Sequence, residues 1–445
     1  MAKLVYLILV SFCSLALAED MQNGQKDISQ TQTKGRVLHF PADRSLGKVR
    51  VQEVLPRKIE SFHYWIDISD FYTKARYIGQ AQGEVHVPEG QRIGLVITQA
   101  AGHDLSDLAK LKNDDLYLLI LNENADDRCM PYIANLTGLR ILQMGRSRIT
   151  NKGLKYLENL KSLEYLTVPE RMSDPAMKYL EGLSSLKGLY FRTSRITSKG
   201  LRHLTKLPSL EELDISGDFI DAGGLVHLAK LPSLNYLILS GRCCTDEAMS
   251  HIRNIPSLKI LNVMHQPITD EGLRRLSGHP GLENLGLFNT EITNRGLEYL
   301  KSMPSLKKLD IGTRKTNPDP ITDKGMIHVA ELKGLEYLDL PNSGITDEGL
   351  AYITELQNIK HLWVCGSTNS PLTDKALEQV SKLPSLDYLL IHGTGFTDAG
   401  MDYLSKLINL KYLNLGADNI SNAGLAKLKN LESLETLHLM SKNIT

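Results

Sequence analysis

The sequence predicts an α/β solenoid of about 13–14 strand–turn–helix units stacked side by side, preceded by a small β-rich cap. Three observations predict it. The fragment Ile268-Thr269-Asp270-Glu271-Gly272-Leu273 recurs along the chain, its copies are almost evenly spaced, and every interval repeats the same order of leucine-type residues. A fixed period of this length is the mark of a repeat array. An array grows without adding separate cores, so 445 residues need not mean several domains.

The anchor copies begin at Ile149, Ile196, Ile268, Ile292, Ile321 and Ile345, with looser ones at Ala125, Met172, Ile220, Cys244, Leu372, Phe396, Ile420 and Ile444. The step is 24 residues, except 23 after Ile149, 29 after Ile292 and 27 after Ile345. Within a period such as Leu258-Lys259-Ile260-Leu261-Asn262-Val263, leucine-type residues stand at positions 1, 4 and 6, and the alternation from 4 to 6 predicts a half-buried strand. The anchor isoleucine follows at position 11. The threonine after it suits a helix N-cap. The acidic residue next in line suits the positive end of the helix dipole. Apolar residues three apart, as at Leu201, Leu204 and Leu207, predict a short helix with one buried face. Lys206, Lys230, Lys382 and Lys406 sit near helix ends, and Pro208, Pro232, Pro256, Pro280, Pro304 and Pro384 stop the helices there.

One unit cannot hide its own leucines. Each contributes about six large apolar side chains, each worth roughly 1.5–3 kcal/mol when buried. That gain is realised only when neighbours stack on both sides. Stacking aligns the strands as a parallel sheet at a spacing of about 4.8 Å. The thinner strands take the inner face and the bulkier helices the outer one, so the stack curves.

The pattern L-x-x-L-x-L-x-x-x-x-I-T-D-x-G-L-x-x-L resembles the leucine-rich-repeat superfamily over roughly residues 100 to 445. It looks most like the cysteine-containing subtype of F-box substrate receptors and their bacterial relatives. At position 9, where that subtype carries Cys or Asn, this chain has Ser147, Ser194, Asp218, Thr290, Ser343 and Thr394. The resemblance implies a leucine-rich-repeat solenoid, or horseshoe, and binding of another macromolecule rather than catalysis. It names no partner.

The rest of the chain divides accordingly. Residues 1–18 carry Lys3, an apolar run from Leu4 to Leu17 and the small-x-small site Ala16-Leu17-Ala18, which predicts a signal peptide cleaved after Ala18. The chain is then secreted, periplasmic or on the cell surface, with no membrane span after cleavage. Residues 19–35 are polar and read as a flexible lead-in. Residues 36–98 hold short β-like runs at Val49–Val51, Tyr64–Ile68, Glu84–Val87 and Ile93–Ile97. With Trp65, they predict a small cap over the first repeat. Val87-Pro88-Glu89-Gly90-Gln91 predicts a hairpin turn. Residues 99–445 form the array. It stops inside an anchor at Ile444-Thr445 with no polar cap, so it is expected to continue, or to pair with another chain, near Leu434 and Leu437.

Charge and chemistry exclude several functions. Lys+Arg and Asp+Glu are both 51, which leaves no strong field to attract nucleic acid. No Gly-rich phosphate loop, G-x-S-x-G elbow or H-E-x-x-H is present. No catalytic residue, cofactor or metal is expected. His265, His361, His392 and His438 lie on or beside the inner strands, and His361 and His392 fall in consecutive repeats. Two imidazoles without a third ligand make a poor metal site. Asp323, Asp347, Asp374 and Asp398 recur as a ladder; they suit calcium or, more simply, each faces its own helix. Cys129, Cys244 and Cys365 are five repeats apart, roughly 24 Å at strand spacing. That is too far for a disulfide, whose Cα atoms lie within about 7 Å. Adjacent Cys243 and Cys244 would form a strained ring, so thiols are expected.

The inner face is where the sequence places binding. Positions 3, 5, 7 and 8 are expected to face solvent. They carry Tyr165, Tyr190, Tyr236, Phe288, Tyr337, His361, Trp363, Tyr388, His392, Tyr412 and His438, with Asp214, Asp310 and Asp339 beside them. Tyrosine and tryptophan anchor interfaces with an apolar body and a polar handle. The richest stretch runs from Tyr337 to His438. Inserts at Thr313–Pro320 and Gly366–Pro371 follow inner strands and mark one edge as a place for specificity loops. These residues suggest an exported, non-catalytic scaffold for a protein or cell-envelope partner. The alternatives are an F-box-like receptor of a ubiquitin ligase and an enzyme with its site in residues 36–98.

Overall fold

The computed structural model describes residues 35–52, 75–101, 103–192, 195–216, 219–241, 244–312, 321–366, 372–442 and 444. The expected signal peptide, the strand at Tyr64–Ile68, the insert at Thr313–Pro320, most of the second insert and Cys243 lie outside them.

Fourteen short strands recur through the array: β6 (Leu118–Ile120), β7 (Ile141–Gln143), β8 (Tyr165–Val168), β9 (Gly188–Arg192), β10 (Glu212–Ser216), β11 (Tyr236–Ser240), β12 (Ile260–Asn262), β13 (Asn284–Gly286), β14 (Lys308–Asp310), β15 (Tyr337–Leu340), β16 (His361–Cys365), β17 (Tyr388–His392), β18 (Tyr412–Gly416) and β19 (Thr436–Met440). Each pairs in parallel with the next, in a register that never slips: Leu261 lies opposite Leu237 and Leu285, and Leu389 opposite Leu362 and Leu413. The Leu-x-Leu positions thus form continuous inward columns. Leu213, Leu237, Leu261, Leu285, Leu309, Leu338, Leu362, Leu389 and Leu413 are all fully buried. One hydrophobic core runs from Leu38 to Leu431, and a smaller cluster gathers Ala75, Leu118, Ile141 and Tyr165. Adjacent strands have no room for a crossover other than the short return helix, so parallel order follows from the repeat length.

The outer segments are short. Some are α-helical, such as Asp270–Leu276 and Asp347–Ile353, and others are 3₁₀, such as Asp174–Leu180 and Ala222–Lys230. Threonine caps them as the sequence suggests: Thr150, Thr197, Thr269, Thr346 and Thr373 each accept a hydrogen bond from the backbone N–H two residues on. Of the position-9 hydroxyls, those of Ser147, Thr290 and Ser343 are buried and that of Thr394 is exposed. Thr290 and Ser343 are buried and donate to the carbonyls of Leu287 and Leu340, which satisfies both groups in the turn after the strand.

Before the array stand β1 (Gly35–His39), β2 (Gly47–Gln52), β3 (Arg76–Gln80), β4 (Glu84–Pro88) and β5 (Arg92–Ile97). β5 pairs in parallel with β6 and antiparallel with β2, and β2 pairs with β3, so the main sheet continues past the first repeat. β1 and β4 make a separate antiparallel pair. The expected turn at Glu89–Gly90 is present, with Gly90 at φ 77°. It does not close a hairpin. Val85 and Val87 of β4 and Ile93 and Leu95 of β5 face one shared core from two sheets, and that burial separates the strands that the turn connects.

Candidate binding face on the inner sheet

The regular register makes the inner face a grid. Position 3 is the first residue of each repeat strand, and position 5 stands two residues on. Side chains alternate across a strand, so both columns face inward to the concavity.

Across β15 to β18 the position-3 column reads Tyr337, His361, Tyr388 and Tyr412. Their rings stack in one ladder. Tyr337 lies 3.7 Å from His361, His361 lies 4.1 Å from Tyr388, and Tyr388 lies 4.1 Å from Tyr412, with interplanar angles of 11°, 13° and 1°. Parallel strands present side chains at about ring-stacking distance, so in-register aromatics meet face to face. The ring faces are used on each other. What remains for a partner is a row of ring edges. His438 continues the row obliquely, at 5.6 Å and 50° from Tyr412, because it stands at position 5, opposite Asn414.

The position-5 column alongside carries Asp310, Asp339, Trp363, Leu390 and Asn414. Asp310 and Asp339 are directly opposed and only 8 % and 5 % exposed. Asp339 accepts from His361 Nε2 at 3.1 Å and from the Tyr337 hydroxyl. Burial, with Asp339 adding to it, pushes the Tyr337 hydroxyl well above the usual phenol range. Among the described residues Asp310 accepts a long bond from the Gly312 N–H, at 3.3 Å. Burial, then repulsion from Asp339, pushes its carboxyl up to about 8. Trp363 is half-buried, and its Nε1 donates to Cys365 Sγ at 3.2 Å. Burial and the bond to Tyr412 raise the Tyr388 hydroxyl to about 12.

The expected face is therefore not evenly open. Tyr337, His361, Trp363, Tyr388, His392, Tyr412, Tyr190 and Phe288 are partly exposed and His438 is exposed. Tyr165 and Tyr236 are not, at 8 % and 2 %. Tyr165 packs with Ala75, Leu118 and Ile141, and its ring leans over Gly188, where a Cβ would sit 2.5 Å from its Cδ1. On a concave sheet side chains converge, and Tyr236 is closed in between Glu212 and Ile260 of the flanking strands. His361 and His392 do not meet. Register puts His361 opposite Tyr388 and His392 opposite Cys365, and His392 bonds Asn414 Oδ1 instead.

The aspartate ladder has a different role from either one expected. Asp323 Oδ1 accepts from the Thr346 N–H at 2.8 Å and Oδ2 from the Thr346 hydroxyl at 2.7 Å, in the next repeat. Asp347 does the same to Thr373, Asp374 to Thr397 and Asp398 to Ser421. Asp127, Asp174, Asp246 and Asp270 repeat the arrangement in the first half. Both oxygens are thus committed between repeats, which leaves neither a cap on the same helix nor a free set for calcium. Among the described residues no group of three or more His, Cys, Asp or Glu is arranged to hold a metal ion.

A second column escaped the sequence reading. From β7 onward the residue before each strand runs Arg140, Glu164, Lys187, Glu211, Asn235, Lys259, Glu283, Lys307, Glu336, Lys360, Asp387, Lys411, Glu435. Signs alternate along one rim. Glu164 pairs with Arg140 and Lys187, Glu283 with Lys259 and Lys307, and Glu336 with Lys360. Bonds from Lys307 and then Lys259 hold the Glu283 carboxyl below its usual range. Lining up the repeats would have revealed it.

Comparison with known proteins agrees with this geometry. A family model described as a leucine-rich repeat region matches residues 106–318. No protein with a curated description matches the chain. Among solved structures, an internalin (inlF) from Listeria monocytogenes is similar in fold, with a TM-score of 0.50 and 23% identity over 70% of this chain and 82% of that one. Internalin C2 from the same species gives a TM-score of 0.37 and 24% identity over 48% and 84%. Unbroken parallel register, one continuous core and the matched repeat region make this chain a leucine-rich-repeat solenoid.

Proposed function

We propose that the chain is an exported, non-catalytic scaffold that holds a protein or cell-envelope partner on the inner sheet between β14 and β18. One observation carries the reading: four aromatic rings are stacked at 3.7–4.1 Å with Trp363 beside them, partly exposed on a concave surface. Stacking fixes their rotamers in advance, so little side-chain entropy is lost when a partner arrives. Aromatic anchors of this kind dominate interface energetics. Export rests on the leader read in residues 1–18. Among the described residues no helix is long and apolar enough to cross a membrane.

The test is affinity capture from native extract, comparing the unaltered chain with a Trp363→Ala/Tyr412→Ala double variant. A third variant, Tyr352→Ala on the outer helices, serves as control. The expected result is a partner kept by the control and lost by the inner-face variant, with both variants folded by circular dichroism. A partner retained by all three removes the inner face from the account. Export is checked by N-terminal sequencing of the extracellular or envelope fraction; a start other than Glu19 argues against it.

A further inference from the structure

We propose that the rim where the inner strands end binds a linear anionic polysaccharide along Arg148, Arg171, Arg195 and Phe219, on a second surface independent of the aromatic ladder.

Charge is balanced over the chain but not along it. The three consecutive repeats spanning residues 139–209 hold 14 Lys+Arg against 5 Asp+Glu, so the remaining residues hold 37 against 46. Part of this excess is used internally. On the rim where strands begin, Arg140 and Lys187 both pair with Glu164. The rim where strands end is different. The residue directly before the anchor runs Arg148, Arg171 and Arg195 in successive repeats, then Phe219. No later repeat has a basic residue at this place.

All three arginines are exposed, and among the described residues none of their side chains has a hydrogen-bond or ion-pair partner. The carboxylates of this rim do not quench them. Glu170 makes no ion pair, and Glu123, which feels Arg146 and Arg148, accepts its hydrogen bond from Gln99. The backbone beneath the row is fixed to the preceding repeat. The Arg148 N–H donates to the Ala125 carbonyl at 2.8 Å, and the Arg195 N–H to the Met172 carbonyl at 2.9 Å. The row is therefore held in line before a ligand arrives, one guanidinium per repeat, about 4.8 Å apart at strand spacing.

Phe219 is an independent observation. It is 61 % exposed and stands next in line after Arg195. One exposed apolar side chain is ordinary on a surface. This one ends a row of free cations, and so offers an aromatic face to whatever lies along them.

The chemistry of the row selects the ligand. A guanidinium is a planar fork that matches sulfate or carboxylate oxygens in pairs. One cation per repeat calls for anions spaced along an extended polymer. The negative face of an aromatic ring attracts the C–H face of a sugar. Nucleic acid fits less well. A duplex sets a phosphate about every 3.4 Å along each strand, out of step with the row. A single strand is held by successive aromatics under its bases, and this row has one.

The experiment uses the full chain and titration calorimetry at several NaCl concentrations. The probes are dextran sulfate and polygalacturonate, which distinguish sulfate from carboxylate, with neutral dextran and oligo(dT) for comparison. The expected result is binding of dextran sulfate, polygalacturonate or both, weaker binding of oligo(dT), and none of neutral dextran. Arg148→Gln/Arg171→Gln/Arg195→Gln should lose affinity at least about tenfold, and its log K should fall less steeply with log salt, by about 2–3. Phe219→Ala should lose affinity with its salt dependence unchanged. Lys324→Gln/Lys375→Gln/Lys429→Gln removes the same charge from exposed positions in distant repeats and should change affinity by less than about twofold. Melting curves verify that each variant is folded. Equal loss in the lysine variant assigns binding to net charge, tighter binding of oligo(dT) assigns it to nucleic acid, and an unaffected arginine or Phe219 variant places it elsewhere. Each overturns the proposal, as does equal binding of neutral dextran or no binding of either polyanion. Trp363→Ala/Tyr412→Ala should bind the polyanion normally; a loss there overturns the separate rim. Failure of the rim alone leaves the inner face to its own capture test.

Discussion

At the scale of single residues, the anchor I-T-D-x-G-L is a set of instructions for two repeats, not one. Threonine's hydroxyl accepts from its own helix and donates to the aspartate of the preceding repeat, using both capacities of one oxygen. Glycine is required for the same reason. A Cβ at Gly349 would lie 2.1 Å from Asp323 Oδ1, and one at Gly296 would lie 2.2 Å from Asp270 Oδ1. Gly349→Ala should cost about 1–3 kcal/mol as overpacking. Asp323→Ala should cost a similar amount, because the Thr346 N–H loses its acceptor. The two should not add. Once the carboxylate is gone the methyl loses its shortest contact and keeps only that with Ile345 Cγ2, at 2.9 Å, so a double-mutant cycle in urea should show a coupling of about 0.5 kcal/mol or more. Additive losses would mean that the glycine is needed for its backbone and not for its neighbour. The sequence displayed every residue of this motif, but a motif read within one repeat does not reveal a bond that spans 23 residues. That is why Asp323, Asp347, Asp374 and Asp398 looked like caps or calcium ligands.

Asp310 gives a second residue-scale test. Its carboxyl titrates near 8 in the folded chain and near 3.8 when exposed, so the folded state prefers the protonated form. The sign follows: stability tied to this group is complete below about pH 4 and is lost as pH rises through 8. Asp310→Asn removes the titration. It should match the unaltered chain at pH 4 and be more stable by a few kcal/mol at pH 9, read from urea midpoints. Equal midpoints at both pH values would place a compensating cation beside Asp310.

At the scale of strands and helices, the repeat period made β6 to β19 legible, since Leu-x-Leu at a fixed step admits only one register. The bonds that align neighbours are local in space and easily checked. The rim column is an example. Glu283 sits between Lys259 and Lys307, both within 3.0 Å. These pairs are exposed and worth little singly. Glu283→Lys nevertheless puts three like charges in a row. A loss of about 1 kcal/mol at low salt is expected, shrinking in 1 M NaCl as the charges are screened. A loss insensitive to salt would assign Glu283 a packing role. Less legible was the inner face itself. Counting from position 1 locates the ladder Tyr337, His361, Tyr388 and Tyr412, but exposure depends on how the concave surface closes. Tyr165 and Tyr236 occupy the same column as those rings, yet they are buried by neighbours that the repeat pattern does not specify. The β-rich region was harder still. Its strands β4 and β5 are joined by a visible turn, but they divide between two sheets because both must cover one core.

At the scale of the molecule, a core that spans the array with nearest-neighbour bonding behaves as a one-dimensional array. Each repeat touches only the two beside it, so a whole repeat is a removable unit provided the register survives. Residues 246–269 form one such period. Removing them joins Thr245 to Asp270, restores the motif T-D-E-G-L across the junction, and brings β11 against β13 with Leu237 opposite Leu285. The shortened chain should fold, keep its far-UV circular dichroism per residue, and unfold with a smaller dependence on urea, in proportion to the surface lost. Removing 12 residues instead, 258–269, deletes β12 while keeping its outer helix, and leaves the β11 edge with no strand in register. That chain should lose cooperativity. If both deletions unfold the protein equally, the repeats do not act as interchangeable neighbours, and the stacking that positions the inner face depends on contacts beyond adjacent units.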